Sequence, residues 1–242
     1  MKKNRKRQRR STKSRNLGQN RVRNTNTDPN HVRVDVKAPF GPLIYEVTIT
    51  PEKIKKINEV CDRAIDENAQ SWNHRLVGNL AGEWLIPNDL LLEEEVYHYF
   101  REIAEMYVKT SNEHLRSVSN NMLRNPKELI IQSAWVNEMK KYEYNPVHYH
   151  TNCIFSSVLF LKVPDFSSNP ILNLKNKTEN KRESDGCLEF INHSYFPGTA
   201  NNGNLMITPE VGKFYIFPAG LQHTVYPFGC DGIRRSMAIN FQ

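Results

Sequence analysis

From residue 128 onward the chain is written in short runs rich in Val, Ile, Phe, Tyr and Trp, at 129–139, 153–163, 186–191, 213–217, 222–226 and 234–241. Turn-forming residues close most of them. Strands this short cannot bury their apolar faces alone, and several of them at this spacing predict an all-β sandwich or barrel. The polar, Ser/Asn/Lys-rich stretch at 165–185 is too long for a hairpin connection and is expected to be a surface loop or lid.

The N-terminal part reads differently. Residues 43–49 predict a strand, and Thr50-Pro51 predicts a helix start, with a side-chain cap followed by proline at the first helical position. Ile54, Ile57, Cys61, Ala64 and Ile65 then recur at three- and four-residue steps, the stripe of an amphipathic helix that ends before Ser71. A second, uninterrupted helix is expected at about 90–111, with Val96, Phe100, Ile103 and Tyr107 buried. These readings divide the chain into a tail (1–34), a strand-and-helix segment packing on the barrel (35–127) and a β core (128–242).

Charge is unevenly spread. Residues 1–30 carry eleven Lys or Arg and one acid, so the tail holds +10 while the rest of the chain holds −3. With almost no large apolar residue the tail is expected to be disordered and suited to nucleic acid or another polyanion through salt-sensitive phosphate contacts. The basic start lacks the apolar stretch of a secretory signal, and no run approaches a membrane span, which predicts a cytoplasmic protein with no membrane insertion. Four widely spaced cysteines without a CxxC pair predict neither a disulfide framework nor a zinc ribbon.

Chemistry concentrates in three histidines. His148 and His150 are two apart at the edge of a β run, so strand alternation sends both imidazoles to one side. Such a pair suits Zn, Cu, Fe or Ni. His223 lies on a late β run, and in a jelly roll strands distant in sequence meet in space. Eleven residues on, alternation places Arg234, Ser236, Ala238 and Asn240 on one face and Arg235, Met237, Ile239 and Phe241 on the other. Only one of the two arginines can therefore face inward. A buried guanidinium requires an anion, either a dicarboxylate cosubstrate or a protein carboxylate such as Glu189.

The ordered series Ala134-Trp135-Val136-Asn137, Pro146-Val147-His148-Tyr149-His150, Phe155-Ser156-Ser157-Val158-Leu159-Phe160-Leu161, Gly212 to Pro218, His223-Thr224-Val225-Tyr226-Pro227 and Arg234-Arg235-Ser236 resembles the 2-oxoglutarate/Fe(II)-dependent oxygenases common in bacteria and bacteriophages. The resemblance covers about 128–242 and reaches more faintly back to 74–80. It implies a mainly β, double-stranded β-helix (jelly-roll, cupin-like) core with flanking N-terminal helices, Fe(II) and 2-oxoglutarate as cofactors, and hydroxylation as the reaction. His148 and His223 match the family's first and last iron ligands, and Arg234 matches the anchor of the cosubstrate's distal carboxylate. Ser156 and Ser236 are weaker candidates to line the cosubstrate pocket, with Trp135 or Phe160 beside it. His150 stands where the family's usual carboxylate ligand would be, completing a three-histidine metal set. Two other readings of the same residues are a three-His zinc hydrolase and a non-catalytic metal-binding jelly-roll module with a polyanion-binding tail. The substrate is not legible in the sequence.

Overall fold

The computed structural model describes residues 34–37, 43–68, 71–72, 76–80, 82–118, 129–168, 184–192 and 203–242. The basic tail and most of the polar 165–185 stretch lie outside the described residues. Strand β1 (Val34–Lys37) begins at the last residue assigned to the tail, and β2 (Ile44–Thr48) follows where the alternating apolar pattern placed a strand. Helix α1 (Pro51–Arg63) starts as its residues dictate: the Thr50 hydroxyl accepts from the Lys53 amide, and Pro51 occupies the first turn, where its missing N–H costs nothing. A π-helical turn at Ala64–Asn68 ends it.

The second expected helix is two. After β3 (Gly82–Ile86) come α2 (Asn88–Glu93) and α3 (Val96–Val118), separated by Glu95 in the left-handed region at φ 60°. In an unbroken helix Val96 would sit about 120° around the axis from Leu90. The break rotates it back, so that Leu90, Leu91, Val96, Phe100, Ile103 and Tyr107 all enter one core.

The remaining strands are β4 (Ile131–Met139), β5 (Asn145–His148), β6 (Phe155–Lys162), β7 (Leu188–Ile191), β8 (Asn204–Ile207), β9 (Lys213–Pro218), β10 (Gln222–Val225) and β11 (Arg234–Phe241). They form two antiparallel sheets, a seven-stranded one in the order β1-β2-β9-β6-β11-β4-β3 and a four-stranded one in the order β5-β10-β7-β8. From β4 onward the chain passes repeatedly from one sheet to the other, the wind of a double-stranded β-helix. Mainly β with flanking N-terminal helices is thus the architecture.

The seven-stranded sheet is covered on both faces, and β11, buried at every residue, shows it most plainly. One face, with Leu159, Met237, Ile239 and Phe241, packs on α1 and α3. The other, with Met139, Phe160 and Tyr215, meets Leu188, Phe190 and Val225 of the small sheet. Arg235, on the helix face, is held by Asp62 of α1 at 2.7 Å and by Glu138 of β4. No helix of the described residues is long and apolar enough to cross a membrane.

Candidate metal centre

Antiparallel pairing sets His148, at the end of β5, directly opposite His223 on β10, which fixes two imidazoles 4.2 Å apart between ring centres. The third arrives by a tied loop. The His150 amide donates to the Ala219 carbonyl at 2.9 Å, and its ring stacks on that of His223 with Nε2 to Nε2 3.2 Å apart. One ligand nitrogen from each of the three lies within 4.8 Å of the others. Among the described residues no carboxylate or thiolate joins this group.

Protonation is arranged from behind. Nδ1 of His148 donates to the Pro146 carbonyl at 2.7 Å and Nδ1 of His223 to the Leu221 carbonyl at 2.9 Å. A carbonyl can only accept, so the proton sits on Nδ1 in both rings and their Nε2 lone pairs are available to a metal. Burial lowers the pKa of all three: His150 falls to about 4 with His148 adding to the effect, and His223 falls well below the usual range. Three neutral imidazoles converging on one point are a donor set for a borderline transition-metal ion.

At the other end of the arrangement Arg234 is 1% exposed. Its Nε donates to the Gly186 carbonyl at 2.9 Å, Nη1 reaches the Ser236 hydroxyl at 3.4 Å, and the guanidinium lies 4.9 Å from the centre of the Phe160 ring. Nη2 has no partner. Glu189, the carboxylate that might have answered it, instead accepts from Tyr226 and Asn204 on the small sheet. Burial without a counter-ion pulls the Arg234 pKa down to about 10. The three histidines, Arg234 and Ser236 all line one cavity of about 650 Å³.

Residues 133–240 match the family model described as "Putative 2OG-Fe(II) oxygenase". The β core is thus similar to the 2OG-Fe(II) oxygenases over these residues. No curated protein matches the chain. Among solved structures it is similar to a Pseudomonas putida prolyl-4-hydroxylase, at 13% identity over 82% of this chain and 91% of that one, with a TM-score of 0.48. It is also similar to a viral collagen prolyl hydroxylase from Paramecium bursaria Chlorella virus-1, at 12% identity over 82% and 94%, with a TM-score of 0.43. A third similarity is to a 2OG-Fe(II) oxygenase-family oxidoreductase from Burkholderia pseudomallei, at 14% identity and a TM-score of 0.34; it covers 48% of this chain and spans less than half, 45%, of that one.

That family's cofactors are Fe(II) and 2-oxoglutarate, and the residues of this cavity suit both. Imidazole is a ligand for iron, and a buried guanidinium with an unused N–H beside a serine hydroxyl is a cradle for a carboxylate. Ser156 takes the inward register position opposite Asn240 and its Oγ has no hydrogen-bond partner, but it is not among the residues that line the cavity. Trp135 is, with its ring 5.8 Å from that of His150.

Two polar lining residues, Glu83 and Asn137, were not among the site candidates that the sequence offered. Glu83 of β3 faces Asn137 of β4, which faces Ser236 of β11, so a polar row crosses the inner surface of the large sheet. The available signal was alternation: Ser133, Trp135, Asn137 and Met139 share a face on β4. β3 was harder to see, because a buried glutamate occupies one of its inward positions.

Proposed function

We propose that this protein is a 2-oxoglutarate-dependent oxygenase, a hydroxylase in which His148, His150 and His223 hold Fe(II) while Arg234, assisted by Ser236, grips the distal carboxylate of 2-oxoglutarate. One observation carries the reading: an unpaired buried cation and three neutral imidazoles line the same cavity. Bound together, iron and 2-oxoglutarate would activate O₂, one of its oxygen atoms entering an unactivated C–H bond of the substrate as hydroxyl and the other entering succinate, with release of CO₂.

The protein's part is placement. Carbonyls of Pro146 and Leu221 keep the Nδ1 protons on His148 and His223, so neither ring has to lose a proton before binding metal. The Arg234 fork fixes the cosubstrate's direction by pairing with its carboxylate, and Phe160 beneath the guanidinium keeps water from competing for it. His150 in place of a carboxylate makes the ligand set neutral, which leaves more positive charge on the metal.

The basic segment 1–30 suits a polyanion, and we assign it that partner. The absence of disulfides among Cys61, Cys153, Cys187 and Cys230 supports a cytoplasmic setting.

The test is an anaerobic titration of the apo-protein with Fe(II) and then 2-oxoglutarate, following the weak visible charge-transfer band of a chelated 2-oxo acid. A band that saturates at one equivalent and disappears in Arg234→Ala is expected. Tight metal binding with no band would refute the assignment and favour a zinc hydrolase or a binding module.

A further inference from the structure

The polar row beside the metal centre is built for something other than the cofactors. Glu83 is 1% exposed, yet its Oε2 has no hydrogen-bond partner and it forms no ion pair among the described residues. The carbonyl oxygen of its cross-strand neighbour Asn137 is equally buried and also without a partner. Buried carboxylates are normally matched by cations, because an unpaired charge taken out of water is strongly disfavoured. Nor is Glu83 matched by Arg234, whose Nη2 is itself without a partner among the described residues. Burial, with the nearby Glu143 carboxylate adding to it, pushes the Glu83 pKa up to about 7.

The surroundings of this pair define an occupant. The segment 76–80 closes over Glu83 so tightly that a side chain at Gly78 would meet the Glu83 Oε1 at 2.7 Å and the Asn145 Oδ1 at 2.3 Å. That same segment supplies Val77, 57% exposed, which with Tyr149, 56% exposed, forms an apolar rim to the cavity. Behind the rim, Trp72, Leu85 and Trp135 make apolar walls. Leu85 pairs with Trp135 two residues along from Glu83–Asn137, and Trp135 abuts His150, so the acceptor pair lies roughly 7 Å along the sheet from the residue that borders the three histidines. A molecule entering past the rim meets aliphatic and aromatic surface first and two hydrogen-bond acceptors, one of them a carboxylate, at the floor.

We propose that Glu83, together with Asn137, determines substrate specificity in this cavity, and that the substrate is a protonated amine carried on an aliphatic stem. The ammonium donates to Glu83 and Asn137, and the stem lies against Trp72, Leu85 and Trp135 with a C–H several bonds from the nitrogen turned toward the three histidines. This deepens the hydroxylase reading and rests on it for the cavity being the substrate pocket.

The test uses the full chain loaded anaerobically with Fe(II) and 2-oxoglutarate, titrated by calorimetry with n-pentylamine, 1-pentanol and pentanoate. n-Pentylamine is expected to bind at least tenfold more tightly than 1-pentanol, with no detectable heat from pentanoate. Glu83→Gln, which keeps the shape and removes the charge, is expected to lose at least tenfold of the n-pentylamine affinity while melting no lower than the wild type. Equal affinity for amine and alcohol, no amine binding, or undiminished amine binding in Glu83→Gln would each overturn the proposal. The two readings fail separately. Glu83-dependent amine binding without a 2-oxo-acid band defeats the cofactor assignment alone, whereas a normal band with amine binding indifferent to Glu83 defeats this inference alone.

Discussion

Replacing Arg234 by methionine separates a cofactor anchor from a structural ion pair. Holding this guanidinium charged in an apolar site depresses its pKa to about 10, which corresponds to roughly 3 kcal/mol of disfavoured charge. Because the folded value is lowered, the penalty is complete at every pH below about 10 and does not vary across the range in which the protein would be assayed. Methionine removes that penalty but gives up the bond from Nε to the Gly186 carbonyl, about 1.5–3 kcal/mol for a charged donor, and the contact with Phe160, about 1 kcal/mol. These terms nearly cancel. The apo-form of Arg234→Met is therefore expected to lie within about 2 kcal/mol of the wild type, whereas breaking a buried ion pair costs about 3–5 kcal/mol. At about 2–4 °C per kcal/mol for a chain of this size, scanning calorimetry should place the two apo melting temperatures within about 8 °C. The anaerobic scan with Fe(II) and 2-oxoglutarate should then stabilise the wild type and leave the variant unmoved. A loss of more than about 12 °C in the apo-form, or cosubstrate stabilisation that survives the substitution, would refute the reasoning.

The neighbouring arginine behaves in the opposite way. Arg235→Met leaves Glu138 and Asp62 without their cation, and a loss of about 3 kcal/mol is expected in urea unfolding, at the lower end for a buried pair because Asp62 is half exposed; a loss below 1 kcal/mol would count against these contacts. Glu83→Gln should show a pH-dependent gain. The folded pKa of Glu83, about 7, stands above its unfolded value, so the native state holds the proton more tightly and ionisation costs stability. The variant's advantage should be absent below about pH 4.5, grow as pH rises and reach roughly 3 kcal/mol above pH 7; equal unfolding free energies at pH 5 and pH 8 would contradict the burial of an uncompensated carboxylate.

Much of this was legible before any coordinates. β11 runs over the residues its alternation marks, Arg234 through Asn240 facing the cavity and Arg235 through Phe241 facing the helices, because a strand buried on both sides must still send successive side chains to opposite faces. The Thr50-Pro51 helix start and the pairing of an early histidine couple with a late histidine are local or stepwise properties of the same kind. Other features belong to the tertiary structure alone. Glu95 interrupts a helix that nothing in its local sequence forbids, since the break answers to where Leu90 and Val96 must be buried. Glu83 and Asn137, 54 residues apart, become a polar pair through the register of β3 on β4. Likewise, the choice between Glu189 and an external anion for Arg234 depended on which carboxylates the small sheet turns outward. Alternation and capping act between residues a few positions apart and can be read in order along the chain, whereas pairing across strands, and the question of which buried charge is left without a partner, is decided only when distant segments compete for the same space.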